Sequence, residues 1–387
     1  MKTPTVFRKY VLATALGAAA LGFAAGATAA ETLKLAEVVE LTGPGTSAGT
    51  NFKNGTDLAI KEINAAGGIL GRQIEVSSSD TQTNPGIAKG LAQKAIDNGA
   101  FAVFGPVYSG SIMVSMATTR EAKVPNFVGG EAASLTEQGN PYVFRTSLTQ
   151  ADAMPKVARY LEGRKDINTI AVIFVNNDFG KGGRDAIIAA LKDTHIKVTD
   201  DISTTTGQID FSSAVLKAKQ SNADAIFAYL NEEESARLLR ELKKQGWDKP
   251  VVGETTLTGQ KVIDLAGPAA EGAIAHVGLT VDAPLPGMQK FSKAYQDAYG
   301  YLADHNGIKG YTGVYILKAA IEKVGKFDRE AVTQALHGIH ISAKDHPGVL
   351  MDVSIDDKGD LDRESFLVQV VDGKQKVIEV LPALGKK

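Results

Sequence analysis

Short apolar runs alternate with amphipathic segments from residue 33 to residue 252. The apolar runs have strand length and predict buried β-strands at 33–41, 74–79, 100–104, 124–128, 142–146, 169–176, 197–202, 225–230 and 251–252. Apolar residues at helical spacing predict helices at 54–65, 85–96, 112–122, 154–161, 184–192, 211–220 and 235–245. Such alternation is typical of parallel sheets covered on both faces, and it continues too long for one sheet. The pattern therefore predicts an α/β protein with two Rossmann-like lobes.

The C-terminal part has a different pattern. Helical spacing predicts helices at 291–298 and 311–324. The segments 349–355 and 366–371 read as strands on either side of an Asp- and Gly-rich stretch at 356–360, which predicts a hairpin between them. A second turn precedes a last strand at 376–381.

The N-terminus has the pattern of a secretory signal peptide over residues 1–30. Lys2, Arg8 and Lys9 form a basic start, an apolar Ala-rich segment follows, and small residues then give a cleavage pattern after Ala29 or Ala30. A membrane anchor is the alternative, but the apolar segment is shorter than a spanning helix requires. We therefore expect an exported protein located in the periplasm.

Composition excludes several classes of function. The 387-residue chain has a formal net charge of −2, so nothing in it indicates binding to nucleic acid or to an anionic membrane surface. Cysteine is absent, which excludes disulfides, thiolate nucleophiles, Cys-ligated zinc and lipid attachment through an N-terminal cysteine.

Motifs for catalysis, metals and cofactors are missing. No nucleophile elbow surrounds Ser109, because Val107 stands where a glycine is needed. The glycines at 180–183 lack phosphate-loop spacing, and no H-E-x-x-H sequence occurs. The histidines at 337–346 have no carboxylate at a familiar ligand spacing, and the glutamates at 232–234 are interpreted as the acidic first turn of a helix. We predict neither enzymatic activity nor a cofactor or metal site.

One stretch does indicate a binding site. A buried strand at 101–104 runs into a polar loop, Tyr108-Ser-Gly-Ser111, and a helix follows. Such a loop places hydroxyls and free N–H groups at a helix N-terminus, where partial positive charge favours an anion. The sequence therefore predicts that Ser109 and its neighbours hold the acidic end of a small ligand. The alternative is that Ser109 only caps the helix.

Several further motifs carry a family resemblance. They are Leu41-Thr-Gly-Pro44, Asn54-Gly55, the run Ile63-Asn-Ala-Ala-Gly-Gly-Ile-Leu-Gly-Arg72, Gly105 with its Ser-rich loop, Phe144-Arg-Thr146 and Asp178-Phe-Gly180. Together they resemble the leucine/isoleucine/valine-binding protein family, the periplasmic solute receptors of ABC importers, over the whole mature chain.

The resemblance implies a type I periplasmic binding protein, an α/β fold of two Rossmann-like lobes joined by three crossover segments. Mapped onto this chain, lobe 1 comprises 31–147 and 279–350, and lobe 2 comprises 148–278 and 351–387. The ligand is then expected between the lobes, at the carboxyl ends of the strands.

The resemblance also implies the ligand-binding residues. Ser109 matches the family serine that holds the ligand carboxylate, and the loop at 130–133 completes that grip. The loop offers alanines where the family has a threonine hydroxyl. The full set of expected contacts is Ala48, Tyr108, Ser109, Glu131, Ala132, Ala133, Phe179, Tyr229, Asn231, Glu254, Thr255 and Tyr311.

Two departures from the family pattern leave the ligand open. The acidic partner of a ligand ammonium falls near Thr255, and Glu254 is the adjacent residue. Ala48 stands where a bulky aromatic often closes the pocket. An α-amino acid needs both its charges met, because an unpaired buried ammonium costs several kcal/mol. If Glu254 faces away from the cleft, an amine-free carboxylate such as an aromatic acid becomes the alternative to a branched-chain amino acid.

The first hypothesis is therefore a monomeric receptor that delivers a small carboxylate to the membrane permease of an ABC transporter. A ligand-sensing adaptor that uses the same fold is the second hypothesis. A secreted hydrolase is disfavoured, since no nucleophile and base stand together.

Overall fold

The computed structural model describes Met1 and residues 31–385. The predicted signal peptide and its cleavage site therefore lie outside the described residues, except for Met1. Within residues 31–385, no helix combines the length and apolar character that crossing a membrane requires.

Strands and helices alternate through the first two thirds of the chain, as the sequence predicts. The strands are β1 (Leu33–Val39), β2 (Ile74–Asp80), β3 (Ala102–Phe104), β4 (Asn126–Val128), β5 (Val143–Arg145), β6 (Thr169–Val175), β7 (Lys197–Thr204), β8 (Ala225–Tyr229), β9 (Val251–Glu254) and β10 (Ile274–Val277). The helices are α1 (Thr46–Ala65), α2 (Pro85–Asp97), α3 (Ser109–Glu121), α4 (Gln150–Gly163), α5 (Asp178–Leu191), α6 (Ser212–Gln220), α7 (Glu232–Lys244) and α8 (Gln260–Ala266).

The C-terminal part contains three more helices and short antiparallel strands. They are α9 (Pro286–Tyr299), α10 (His305–Val324), α11 (Arg329–Leu336), β11 (His340–Ile341), β12 (Val353–Ile355), β13 (Leu361–Asp362), β14 (Ser365–Val371) and β15 (Lys374–Leu381).

Two larger sheets organise the molecule. The first has the order β2-β1-β3-β4-β5, and all its strand pairs are parallel. The second has the order β15-β14-β10-β9-β8-β6-β7, in which β14 and β15 form an antiparallel edge. The chain passes to the second sheet after β5 and returns, after β10, to helices that pack on α1. It joins the second sheet again through β14. The lobe boundaries named above stay predictions.

The predicted hairpin around 356–360 is wrong in its pairing. The turn exists, since Asp356 N donates to Asp360 O at 2.9 Å, but it joins β12 to the two-residue strand β13. The segment expected to pair with β12 is β14, which instead pairs with β10 and β15. Its apolar side chains are buried in the second sheet, and that larger core determines the pairing.

Helix α10 packs closely against α1, and this packing holds the N-terminal residues of α10 in place. A side chain on Gly55 would place its Cβ 1.9 Å from Gly307 O, and one on Gly310 would meet Phe52 O at 2.1 Å. Glycine at these positions allows the two helix backbones to approach. Asp304 caps α10 by accepting from Asn306 N at 2.8 Å, so the helix begins at a defined point.

Candidate functional site

A cavity of about 230 Å³ lies between the two larger sheets. Most of its lining residues follow directly on strands of one sheet or the other, so it lies at the carboxyl ends of those strands. The residues that line it are Thr83, Pro85, Val107, Tyr108, Ser109, Gly110, Ser111, Gly129, Gly130, Glu131, Asn177, Phe179, Thr206, Asn231, Glu232, Thr256, His305, Asn306 and Lys309.

Five helices begin at this cavity. Residues in the first turns of α2, α3, α5, α7 and α10 line it: Pro85, Ser109, Phe179, Glu232 and His305 are examples. Helix N-termini carry partial positive charge and N–H groups without intrahelical partners. Capping side chains already accept from first-turn N–H groups of α2, α5 and α10, whereas α3 has no side-chain cap. The five helix starts therefore concentrate partial positive charge on one small volume, and α3 supplies uncapped N–H donors.

Ser109 is the first residue of α3 and is buried. Its Oγ accepts from Ala132 N at 3.4 Å, which leaves the hydroxyl proton available. The N–H groups of Val107 and Tyr108 already donate to the buried carboxylate of Glu40, at 3.0 and 3.2 Å. Burial raises the pKa of Glu40 to about 7. The donors left for a ligand are therefore those of the first turn, from Ser109 onward.

The loop that faces Ser109 is held by Arg145. Its guanidinium donates to Gly130 O at 2.5 Å and to Ala132 O at 3.0 Å, and its Nε pairs with Asp360 at 2.7 Å. Ala132 itself is buried and meets Ser109 only through its N–H, and Ala133 begins a 3₁₀ helix outside the lining. The loop thus contributes backbone rather than threonine-like hydroxyls.

Phe179 forms an apolar wall, and Tyr229 supports it from behind. Their ring centroids lie 4.6 Å apart, and Tyr229 is fully buried with its hydroxyl accepting from Gln150 Nε2 at 3.0 Å. Gln150 Nε2 also donates to Phe179 O at 2.7 Å. Tyr229 therefore positions Phe179 and does not itself line the cavity.

Lys309 compensates the negative charge of Glu131 within the protein. Lys309 Nζ donates to its Oε1 at 2.6 Å, and the side chains of both residues are almost fully buried. Burial and the nearby Glu254 raise the pKa of Glu131, whereas the ammonium of Lys309 favours its charged form.

Glu254 and Thr255 lie in a small polar recess beside the cavity, not in its lining. Glu254 accepts from Thr255 Oγ1, and His276 Nδ1 lies 3.4 Å from its Oε1. Burial raises the pKa of Glu254 and lowers that of His276 to about 3. The cavity and the recess share Glu131, His305 and Lys309.

Glu232 lines the cavity from the start of α7. Its Oε1 accepts from Asn306 Nδ2 of α10 at 3.0 Å. Burial, Glu233 and Asp304 raise its pKa to about 8. Its neighbour Glu233 accepts from Ser47 Oγ of α1 at 2.5 Å. These two bonds join the elements on the two sides of the cavity.

Two further residues expected in the site, Ala48 and Tyr311, also lie outside the cavity lining. Ala48 is buried in the core and does not line the cavity. The Tyr311 hydroxyl donates to Glu62 at 2.6 Å, and its ring packs against Phe291 on α9. The expected residues that do line the cavity are Tyr108, Ser109, Glu131, Phe179 and Asn231.

The sequence interpretation missed several lining residues. Glu232 was assigned only to the acidic first turn of a helix, and His305, Asn306 and Lys309 were not singled out. A detectable signal was present: Asp304 followed by a long amphipathic segment marks a helix start, and this fold places helix starts at the cleft. Lys309 becomes visible as a site residue only when Glu131 is placed beside it.

Comparison with known proteins agrees with this geometry. The family model described as periplasmic binding protein matches residues 32–375. The leucine-, isoleucine-, valine-, threonine- and alanine-binding protein of Pseudomonas aeruginosa is 28% identical over 90% of this chain and 92% of its own length. A Leu/Ile/Val-binding protein of Rhizobium johnstonii is 30% identical over 91% of this chain and 95% of its own.

Solved structures share the fold. A branched-chain amino acid transporter substrate-binding protein of Streptococcus pneumoniae, in complex with isoleucine, superposes with a TM-score of 0.83 at 23% identity, covering 91% of this chain and 100% of its own. An ABC-transporter solute-binding protein of R. palustris, in complex with benzoate, gives 0.84 at 20% identity, with 92% and 98% covered. The predicted two-lobed fold, and the prediction of a receptor rather than an enzyme, are confirmed. The chain belongs to the periplasmic binding protein family, that of the Leu/Ile/Val-binding proteins.

Proposed function

We propose that this protein captures a small carboxylate ligand between its two lobes in the periplasm and delivers it to the permease of an ABC transporter. The observation that carries the proposal is the convergence of five helix N-termini on one cavity, with the Ser109 hydroxyl and the uncapped start of α3 among them. Partial positive charge and the N–H donors of α3 stabilise a carboxylate there once water is expelled.

The first candidate ligand is an amino acid of the branched-chain type. The relatives with the highest identity quoted above are named for such ligands. A cavity of about 230 Å³ is smaller than the roughly 300–1,000 Å³ of pockets that take drug-sized molecules, so it suits a ligand of this size. Phe179 and Val107 supply apolar walls for an aliphatic side chain.

An amine-free organic acid, such as an aromatic carboxylate, is the second candidate. Two observations favour it: Glu254 lies outside the cavity lining, and Lys309 already neutralises Glu131. A fold neighbour holds benzoate in its solved structure. An aromatic ring would pack against Phe179.

Capture is expected to close the lobes, as a shift between open and closed forms. The contacts from Ser47 to Glu233 and from Asn306 to Glu232 join the two sides of the cavity in this structure, so they are candidates for bonds that break on opening. We expect the receptor to act as a monomer.

A thermal-shift screen of the mature protein tests the proposal. Amino acids, aliphatic acids and aromatic acids are compared, since a ligand that binds only the folded state raises the melting temperature by mass action. Stabilisation by carboxylates is the expected result. Stabilisation only by compounds without a carboxylate contradicts it, and hydrolysis products on incubation would reopen the possibility of an enzyme.

A further inference from the structure

Glu40 and Glu234 are buried near the cavity, but they accept from backbone N–H groups and do not line it. Three other buried glutamates, Glu131, Glu232 and Glu254, lie at or beside the cavity and differ in what they contact.

Glu254 is enclosed in the recess, where Thr255 and His276 hold one of its oxygens. Its other oxygen, Oε2, is buried without a hydrogen-bond partner, and it lies in the recess rather than in the cavity. Because Glu254 is absent from the cavity lining, its carboxylate does not face a ligand in the cavity.

Glu131 lines the cavity, but its charge is already compensated. Lys309 occupies Oε1 at 2.6 Å, and Oε2 is enclosed on the side of Glu254. A ligand cation at Glu131 would have to displace or approach a buried lysine, which electrostatic repulsion opposes. We therefore exclude Glu131 as the first partner of a ligand cation.

Glu232 differs from both. It lines the cavity and is 3% exposed. In the part of the chain that the structure describes, it forms no ion pair with a lysine or an arginine. The basic side chain beside it is His305, whose Nε2 lies 3.9 Å away and whose Nδ1 has no hydrogen-bond partner. Burial lowers the pKa of His305 well below its usual range, so the ring is neutral.

The surroundings of Glu232 add negative rather than positive charge. Glu233 adjoins it on α7, and Asp304 caps α10 with one carboxylate oxygen lacking a partner. Asn306 donates to Glu232 from α10, and Tyr108 faces it from the loop before α3. Lys309, also in the lining, is committed to Glu131. The cavity lining thus combines donors at Ser109 with an acidic group at Glu232.

We propose that Glu232 is the seat of a cationic nitrogen on the ligand, so that the receptor selects amine-bearing carboxylates over amine-free ones. The inference rests on the proposed function, because it needs a carboxylate bound at the Ser109 end. It moves the amine partner from the expected position at Glu254 to the first turn of α7.

Binding of a ligand amine beside Glu232 is linked to the protonation of that carboxyl. The pKa of Glu232 is raised to about 8 by burial and by Glu233 and Asp304, so near pH 7 the unliganded carboxyl is mostly protonated. An ammonium beside it favours the charged form. Binding an amine-bearing ligand therefore releases a proton from Glu232 at pH 7, whereas an amine-free acid does not require that release.

Two matched ligand pairs test the inference by calorimetry. They are leucine with 4-methylpentanoate, and 5-aminopentanoate with pentanoate; each pair differs in its amine. We expect the wild type to bind the amine-bearing member of at least one pair at least tenfold tighter. We expect Glu232→Gln to remove that preference while it leaves the amine-free member within threefold. Glu241→Gln, on the same helix but away from the cavity, is the control.

The outcomes separate this inference from the proposed function. Equal loss for both members of a pair in Glu232→Gln, or loss of the preference in Glu254→Gln alone, overturns the seat at Glu232. Tighter wild-type binding of the amine-free members, or binding of benzoate only, also overturns it but leaves the carboxylate receptor standing. No stabilisation by any carboxylate overturns both.

Proton counting provides a second readout on the wild type, which does not depend on a variant folding. Binding enthalpies at pH 7 in buffers of different ionisation enthalpy give the number of protons released. We expect more protons released with the amine-bearing member of the preferred pair than with its amine-free partner. Equal release for the two members contradicts the inference.

Discussion

The two acidic positions of the cavity lining, Glu131 and Glu232, are both buried, yet they have different surroundings. Around Glu131, Lys309 compensates the charge, and Arg145 with Asp360 holds the adjoining loop. Around Glu232, the neighbours are acidic or neutral. Burial alone therefore does not identify a ligand-binding charge. The informative feature is whether the protein supplies the counter-charge itself.

This difference divides the site into two sides. We call the surroundings of Glu131, Lys309 and Arg145 the built side, and those of Glu232 and Ser109 the receptive side. On the built side, each strong charge has its partner, so mutations should act mainly on folding. On the receptive side, the counter-charge is left to the ligand, so mutations should act mainly on binding. The following predictions test that division.

Arg145→Met should give the largest effect, a loss of about 3–5 kcal/mol in the free energy of unfolding. The substitution leaves Asp360 buried without its cation and frees two loop carbonyls. Urea unfolding measures it. Arg164→Met is the matched control, because the Arg164–Asp166 pair lies at the surface and should contribute little. Similar losses in the two variants would contradict the claim that charge pairs of the built side contribute mainly to folding stability.

Lys309→Met should cost about 3 kcal/mol of unfolding free energy, since it removes the cation beside a buried glutamate. Adding Glu131→Gln should recover most of that loss, because the uncompensated carboxylate is then gone. A double-mutant cycle measures the coupling between the two residues. Purely additive losses would show that the pair is not a unit.

Ser109→Ala should weaken the best carboxylate ligand by about 1–3 kcal/mol, because a hydroxyl that donates to a charged group is lost. Its unfolding free energy should fall by about 1 kcal/mol or less, because Ala132 N loses only a long 3.4 Å hydrogen bond. The control is Ser115→Ala, six residues further along α3, where the hydroxyl donates to Ser111 O at 2.9 Å outside the cavity. Unchanged affinity would show that Ser109 only begins the helix and does not bind the ligand.

Glu232→Gln should change how stability depends on pH. The pKa of Glu232 is about 8 in the folded protein against an ordinary 4.5, so its contribution is fully present below pH 4.5 and is lost as pH rises to 8. Wild-type stability relative to the variant should therefore fall between those values, by at most about 1.4 kcal/mol per pH unit. Parallel pH profiles from denaturant unfolding would contradict a raised pKa at this residue.

The fold followed from the sequence because its signals are local. Periodicity places α5 and β6, and the family motifs indicate two lobes. The short strand β10 was missed, since four residues with a histidine among them carry little periodic signal. The start of α1 at Thr46 was missed because the segment is rich in glycine. Gly49 is needed there, since a Cβ would lie 2.1 Å from Glu40 O.

The sequence predicts those site residues that directly follow a strand. It is less informative about residues that are placed by contacts between distant segments of the chain. Ser109 and Phe179 follow strands directly, so their place at the cleft could be inferred. Lys309 meets Glu131 across 178 positions of sequence, and no local pattern indicates that contact. Whether Glu254 or Thr255 faces the cleft could not be decided from the sequence, because a one-residue difference in a strand or turn redirects a side chain.

Calorimetry with ligands and their carboxamides measures whether the cavity requires a carboxylate. Leucine is compared with leucinamide, and benzoate with benzamide, so that shape is kept while the negative charge is removed. We expect at least one carboxylate to bind and its amide to bind at least tenfold more weakly, with the difference reduced in Ser109→Ala. Equal binding of the carboxylate and its amide would contradict that requirement.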